Sequence, residues 1–158
     1  MQKTNVLRIL DKEKINYISR EYDDKITDAV EVAKAVCKNP EEVFKTLVTK
    51  ANNNEYYVFV IPSLMVLDLK KAAKVAGVKS IELIHQKELL PLTGYVHGGC
   101  SPIGMKKQFP TFIDETAILY DTIVFSAGKK GLQVEMPVQI LCSLIGAKLA
   151  DICSKLKD

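Results

Sequence analysis

The stretch that decides the fold reads Val43-Phe44-Lys45-Thr46-Leu47-Val48-Thr49-Lys50-Ala51, then Asn52-Asn53-Asn54, then Glu55-Tyr56-Tyr57-Val58-Phe59-Val60-Ile61. Two runs rich in β-branched and aromatic residues flank three asparagines, which tolerate tight-turn backbone conformations. This pattern predicts a β-hairpin with strands over 42–51 and 56–61. Lys45 is the anomaly within it. A lysine in an apolar run is costly unless its amine finds water or a partner. On the residue alone two readings stay open: a stem that snorkels from an edge strand, or a cation held for a ligand.

On the N-terminal side, Thr4 fits the N-cap of a helix whose apolar stripe is Val6, Leu7, Ile9 and Leu10. Residues 15–22 alternate loosely, as an extended segment does. Thr27 or Asp28 caps a helix carrying Ala29, Val30, Val32, Ala33 and Val36, and Asn39-Pro40 ends it.

On the C-terminal side, 67–76 has helical spacing, with Lys70, Lys71 and Lys74 opposite the alanines and Gly77 as the residue after its end. A strand over 78–84 and a short helix over 85–90 lead into Thr93-Gly94-Tyr95-Val96-His97-Gly98-Gly99-Cys100-Ser101-Pro102-Ile103-Gly104. So many glycines let another backbone or a ligand come close and let several N–H groups converge on one point. Strands over 109–113, 122–125 and 132–135 follow. The last two flank Ser126-Ala127-Gly128-Lys129-Lys130-Gly131, read as a basic hairpin tip. A helix over 138–145 closes the core, and a helical turn or two is expected over 149–156. Strands that arrive as hairpins, irregularly punctuated by helices, predict an α+β fold rather than a βαβ repeat. The expected architecture is a curved, mixed, barrel-like sheet with helices packed around it, in a single domain over 1–158.

Composition narrows the chemistry. No apolar run reaches the roughly 20 residues of a membrane span, and the N-terminus lacks the apolar core of a signal peptide. A cytoplasmic protein with no membrane partner is expected. Cys37, Cys100, Cys142 and Cys153 lack the short spacing of a metal site, and two histidines do not compensate, so no metal and no cofactor are expected. Free thiols in a reducing compartment follow. Ser101 and Ser126 lie in no nucleophile elbow, and no Walker A or dinucleotide fingerprint is present. Cys100, with His97 nearby, stays open as an alternative nucleophile. What remains is a site of backbone amides, one lysine and hydroxyls. Such a set suits an anionic or polar ligand whose carbonyl is polarised without a protein nucleophile.

Four motifs taken together carry a resemblance. Phe44-Lys45-Thr46-Leu47, Leu69-Lys70-Lys71-Ala72-Ala73-Lys74, the glycine loop around Gly98-Gly99, and Ser126-Ala127-Gly128-Lys129 resemble the YbaK-type Cys-tRNA(Pro) deacylases. Those enzymes belong to a superfamily of aminoacyl-tRNA editing domains that includes the insertion domain of bacterial prolyl-tRNA synthetases. The match runs in order from about Thr4 to Asp151. The resemblance implies hydrolysis of cysteine from mischarged tRNA(Pro), with prolyl-tRNA synthetase as a partner. It implies that Tyr22, Lys45, Gly98 and Ser126 form the catalytic set, and that Thr46, Gly99, Ser101 and Gly128 contact substrate. In the implied chemistry the substrate's own thiol attacks its ester, and the Gly98 N–H holds the carbonyl oxygen. Lys106, Lys107, Lys129 and Lys130 are the expected tRNA-binding rim. Two positions depart from the family pattern: Arg20 stands where a histidine is frequent, and Ser126-Ala127-Gly128 where Ser-Gly-Gly is common. Related activities on alanine or serine, and a non-catalytic synthetase-binding module, remain alternatives.

Overall fold

The computed structural model describes residues 3–154. Its elements in order are α1 (Asn5–Lys12), β1 (Ile18–Glu21), α2 (Ala29–Ala35), β2 (Phe44–Ala51), β3 (Tyr56–Pro62), β4 (Val66–Leu67), α3 (Leu69–Ala76), β5 (Ile81–Leu83), α4 (Gln86–Thr93), β6 (Thr111–Asp114), β7 (Ile123–Lys129), β8 (Leu132–Met136), α5 (Val138–Ile145), β9 (Lys148–Ala150) and β10 (Cys153–Ser154).

The predicted hairpin is the spine. β2 and β3 pair antiparallel from Phe44 opposite Pro62 to Lys50 opposite Tyr56, and Asn54 takes the positive φ its turn needs. They form the centre of a mixed five-stranded sheet ordered β5-β2-β3-β6-β9, in which β3–β6 and β6–β9 run parallel. An antiparallel sheet β1-β8-β7 meets it through one parallel bridge, Val43 to Val124. A short pair, β4 with β10, completes the strands. The fold is α+β with a mixed sheet, as expected, and among the described residues its sheets do not close into a barrel.

Strand alternation sorts the side chains. Phe44, Val48, Val58, Val60 and Ile113 leave one face of the large sheet for the main core, where Phe125, Leu132, Val134 and Met136 of the second sheet meet them. Phe59, Ile61 and Ile81 leave the other face and pack on Ala72 and Ala73 of α3. The Thr4 hydroxyl accepts the Leu7 N–H at 3.3 Å and donates to the Ala127 carbonyl at 2.6 Å, so one cap starts α1 and ties it to β7.

Two expectations change. Residues 149–156 hold no helix in their described part; β9 and β10 lie there instead. β9 extends the sheet beside β6, and the Asp68 N–H donates to the Ile152 carbonyl at 2.8 Å, so tertiary pairing overrides local helical preference. The remainder of that span lies outside the described residues. The hairpin tip is also shorter than expected. β7 continues through Ser126 to Lys129 with a register shift between them, which leaves Ser126 on a strand. Among the described residues no helix is long and apolar enough to cross a membrane.

One polar network ties the segment after α2 to the second sheet. Glu135, 6% exposed, accepts from Arg20 at 2.8 and 3.0 Å, from Lys38 at 3.0 Å and from Thr122 at 2.6 Å. Burial pushes its carboxyl up, but the hydrogen bonds from Thr122, Lys38 and Arg20 outweigh that and hold it at about 2 instead of the ordinary 4.5. A lowered carboxylate pKa contributes stability that is present above the unfolded value and lost as pH falls through the folded one. Here that window is pH 4.5 down to about 2. At neutral pH the network contributes roughly 3 kcal/mol by this linkage. Glu135→Gln is therefore expected to lower neutral-pH stability by about that amount and to flatten the acid limb of stability against pH, read by denaturant titration at several pH values. An unchanged acid limb would mean that other carboxylates set it.

Candidate functional site

Lys45 is the third residue along β2 from the Val43–Val124 bridge, counting Val43 as the first. Two steps along both parallel strands from that bridge set Lys45 beside Ser126, on the same face as Val43 and Val124. β5 pairs only with Thr49 to Ala51, so it does not cover this end of β2. Lys45 is half-buried, and among the described residues its ammonium has no hydrogen-bond or ion-pair partner. Burial lowers its pKa from the ordinary 10.5, and Cys153 acts weakly the other way. A partly desolvated, unpaired ammonium at this end of β2 is open to an anionic or carbonyl oxygen.

Ser126 lies directly across from Gln133, which lies across from Arg20, so the three share a face. Tyr22 follows β1; its N–H donates to the Gly131 carbonyl at 2.9 Å, which extends the same pairing by one residue. Alternation therefore puts the Tyr22, Ser126 and Lys45 positions on one side of the joined strands. The Ser126 hydroxyl accepts the Gly128 N–H at 3.2 Å, which fixes the bulge behind it.

The glycine loop reaches this side by packing on the β7–β8 turn. A Cβ on Gly99 would stand 3.0 Å from the Lys129 Cα, so only a glycine admits the approach. Gly98 takes φ +87°, and among the described residues its N–H has no acceptor. That N–H is an unpaired donor in a loop that packs on the β7–β8 turn. Gly128, at φ +104°, lies against Val6 and Tyr95.

The remaining expected contacts divide. Thr46 follows Lys45 directly in a regular strand and so leaves the opposite face, between Phe44 and Val48; its hydroxyl is buried with no partner. Ser101 is fully buried, and its hydroxyl accepts the Ile103 N–H at 3.3 Å, a bond internal to the loop. Lys129 and Lys130 are exposed, and the Lys130 stem runs along Gly98. Lys106 runs along Gly94 and reaches the Pro91 carbonyl at 3.4 Å, while Lys107 stands 5.9 Å from the Phe109 ring centroid. Of the helix lysines, Lys71 is tied to Asp151 and to the Cys153 carbonyl, both at 3.1 Å. Lys70 and Lys74 line a separate cleft of about 350 Å³ between α3 and β5, at the far end of β2 from Lys45.

Burial pushes the Cys100 thiol up to about 12 and raises those of Cys142 and Cys153, so none of these three is a ready thiolate at neutral pH. Among the described residues no cluster of three or more His, Cys, Asp or Glu side chains could hold a metal. Sequence reasoning missed Gln133 and Glu135. The signal was there in Leu132-Gln133-Val134-Glu135-Met136, whose period-two pattern puts two polar side chains on one face.

An unpaired lysine and an unpaired amide N–H near a strand serine are the candidate site, and the comparisons place the chain in a family. The family described as the aminoacyl-tRNA editing domain matches residues 23–142, and the chain belongs to that family. A relative from Enterococcus faecalis, provisionally named Cys-tRNA(Pro)/Cys-tRNA(Cys) deacylase EbsC, is 44% identical over 157 residues, which is 98% of this chain and 95% of that one. A crystal structure described as a candidate trans-editing enzyme for prolyl-tRNA synthetase shares the fold, with TM-score 0.85 and 24% identity over 97% of this chain and 99% of the other. So does one solved as a hypothetical protein, with TM-score 0.88 and 21% identity over 96% and 100%.

Proposed function

We propose that the whole chain is one trans-editing domain that releases cysteine from mischarged Cys-tRNA(Pro), and from Cys-tRNA(Cys) as well, in the cytoplasm and alongside prolyl-tRNA synthetase. The observation that carries this reading is the half-buried, unpartnered Lys45 ammonium set beside Ser126. The kinship with the enterococcal relative supports the choice of tRNA ester.

Cysteine is close enough to proline in size that a synthetase pocket cannot reject it fully, so a second site must clear the error. An aminoacyl ester is already activated, and positioning supplies much of the rate. Lys45 holds the 3′ end of the tRNA, Tyr22 and Ser126 orient the aminoacyl-adenosine, and the Gly98 N–H stabilises the carbonyl oxygen as negative charge develops on it. The nucleophile is the substrate thiol. Its sulfur bonds to the carbonyl carbon, the bond to the ribose 3′ oxygen breaks, and that oxygen takes the thiol proton. Water then opens the cyclic thioester to free cysteine. The buried state of Cys100 fits a site without a protein nucleophile. Lys106, Lys129 and Lys130 form the rim beside the loop that meets tRNA phosphates.

Release of amino acid from purified Cys-, Ala- and Ser-tRNA(Pro), with and without the synthetase, tests the reading. Cysteine is expected to be released and serine, its isostere without the thiol, left in place. Apparent affinity should fall steeply with salt, because phosphate contacts release counterions. Equal rates on cysteine and serine would exclude the substrate-thiol route.

A further inference from the structure

Gln133 is a buried polar side chain of the site face with no hydrogen-bond partner among the described residues. It is 7% exposed in the middle of β8, its Oε1 is fully buried, and among the described residues neither end of its amide makes a hydrogen bond. Two residues along the same face Glu135 has four donated hydrogen bonds from three side chains. Neither lateral neighbour of Gln133 is bonded to it: Arg20 directs Nε and Nη2 to Glu135, and the Ser126 hydroxyl accepts from Gly128. The amide does not face the core, because Leu132, Val134 and Met136 do so from the other side of the strand. A buried amide oxygen with no donor is rare in a folded protein and calls for one supplied from elsewhere.

The chemistry of the gap selects the occupant. An ammonium group donates only, and Lys45, Lys38 and Arg20 already make this face cationic. A phosphate accepts only and would leave Oε1 unmet. A carboxamide presents an acceptor and a donor side by side, which is the complement of an adenine edge, where an amino donor adjoins a ring-nitrogen acceptor. We propose that Gln133 reads the terminal adenine of the tRNA substrate, taking its amino hydrogen on Oε1 and donating from Nε2 to the ring. This rests on the deacylase reading and deepens it: Gly98 acts on the ester and Lys45 holds the 3′ end, while Gln133 checks the base of the nucleotide that carries the ester.

The test compares Cys-tRNA(Pro) ending in adenosine with the same tRNA ending in purine riboside, which lacks the exocyclic amine, or in inosine. The wild-type protein should lose roughly 10- to 100-fold in kcat/KM on both analogues, the discrimination expected of one bidentate base contact. Gln133→Met keeps the shape and removes both polar ends; it should process all three substrates at one low rate. Equilibrium binding of an uncharged trinucleotide, CCA against its purine-riboside analogue, gives a readout independent of turnover. Adenine-selective binding without deacylation would sink the functional reading and keep the base contact. Deacylation with equal rates on all three termini would overturn the role of Gln133 and leave the deacylase standing. Discrimination that persists in Gln133→Met, or a loss seen only when the terminal ribose 2′-hydroxyl is removed, would likewise overturn it.

Discussion

Lys45→Met is expected to reduce deacylation of Cys-tRNA(Pro) by roughly 30- to 1,000-fold while leaving the thermal midpoint unchanged or raised. Methionine keeps most of the stem and removes the ammonium. A charge-assisted contact to a developing or standing anion in a partly desolvated site contributes about 2–4 kcal/mol, which sets the size of the rate loss. The stability expectation has the opposite sign for a physical reason. Burial lowers the Lys45 pKa below 10.5, so the folded protein holds this charge less readily than the unfolded chain does. A group in that state detracts from stability at neutral pH, and among the described residues no partner is lost with it. Single-turnover rates with saturating enzyme, together with thermal unfolding of both proteins, check the pair of expectations. Near wild-type turnover in the variant would return Lys45 to the role of a lysine stem passing over apolar surface.

That anomaly was legible before any coordinates, because a lysine inside Val43-Phe44-Lys45-Thr46-Leu47-Val48 breaks a pattern strong enough to predict the strand. The hairpin and its turn were legible for the same reason: period-two alternation and three consecutive asparagines are local signals. β9 and β10 were not. Strands of three and two residues carry no periodicity, and their partners, β6 and β4, lie at least 34 residues away in the chain.

Gln133 and Glu135 show a different limit. Alternating polar residues in a strand ordinarily mean a face in water. Here α2 and the Arg20–Lys38–Thr122 set cover that face, and nothing in the five residues of β8 announces it. The lysines divide similarly. Lys71 looked like its neighbours in the α3 sequence, yet it is bound to Asp151 and the Cys153 carbonyl near the end of the described chain. The glycine loop was legible as a loop, but its docking on Lys129 and Lys130 was not, because that contact depends on a close approach between two turns.

That close approach sets the second large expectation. Gly98→Pro should abolish measurable deacylation, Gly98→Ala should retain part of it, and Cys100→Ala should stay within a few-fold of wild type. Gly98 sits at φ +87°, whereas proline is held near −65°, so the loop cannot keep its course. Proline also deletes the free N–H, a kind of donor whose removal costs roughly 2.7–4 kcal/mol in hydrolases, or 100- to 1,000-fold in rate. Alanine keeps that N–H. Its Cβ would meet only the Lys130 side chain, nearest at Cε at 3.2 Å, a movable and exposed stem, and its φ strain is about 1–2 kcal/mol. The activity kept by Gly98→Ala sets how much of the loss positive-φ strain alone produces, and Gly98→Pro adds both donor loss and a rerouted loop. Cys100 tests the competing nucleophile. Its thiol is 8% exposed with a pKa raised to about 12, so at neutral pH almost none of it is thiolate. Circular dichroism on each variant confirms that the fold is intact before rates are compared. If Cys100→Ala were the dead variant and one equivalent of a thiol reagent silenced the wild type, the attacking sulfur would belong to the protein, and the substrate-thiol mechanism would have to be abandoned.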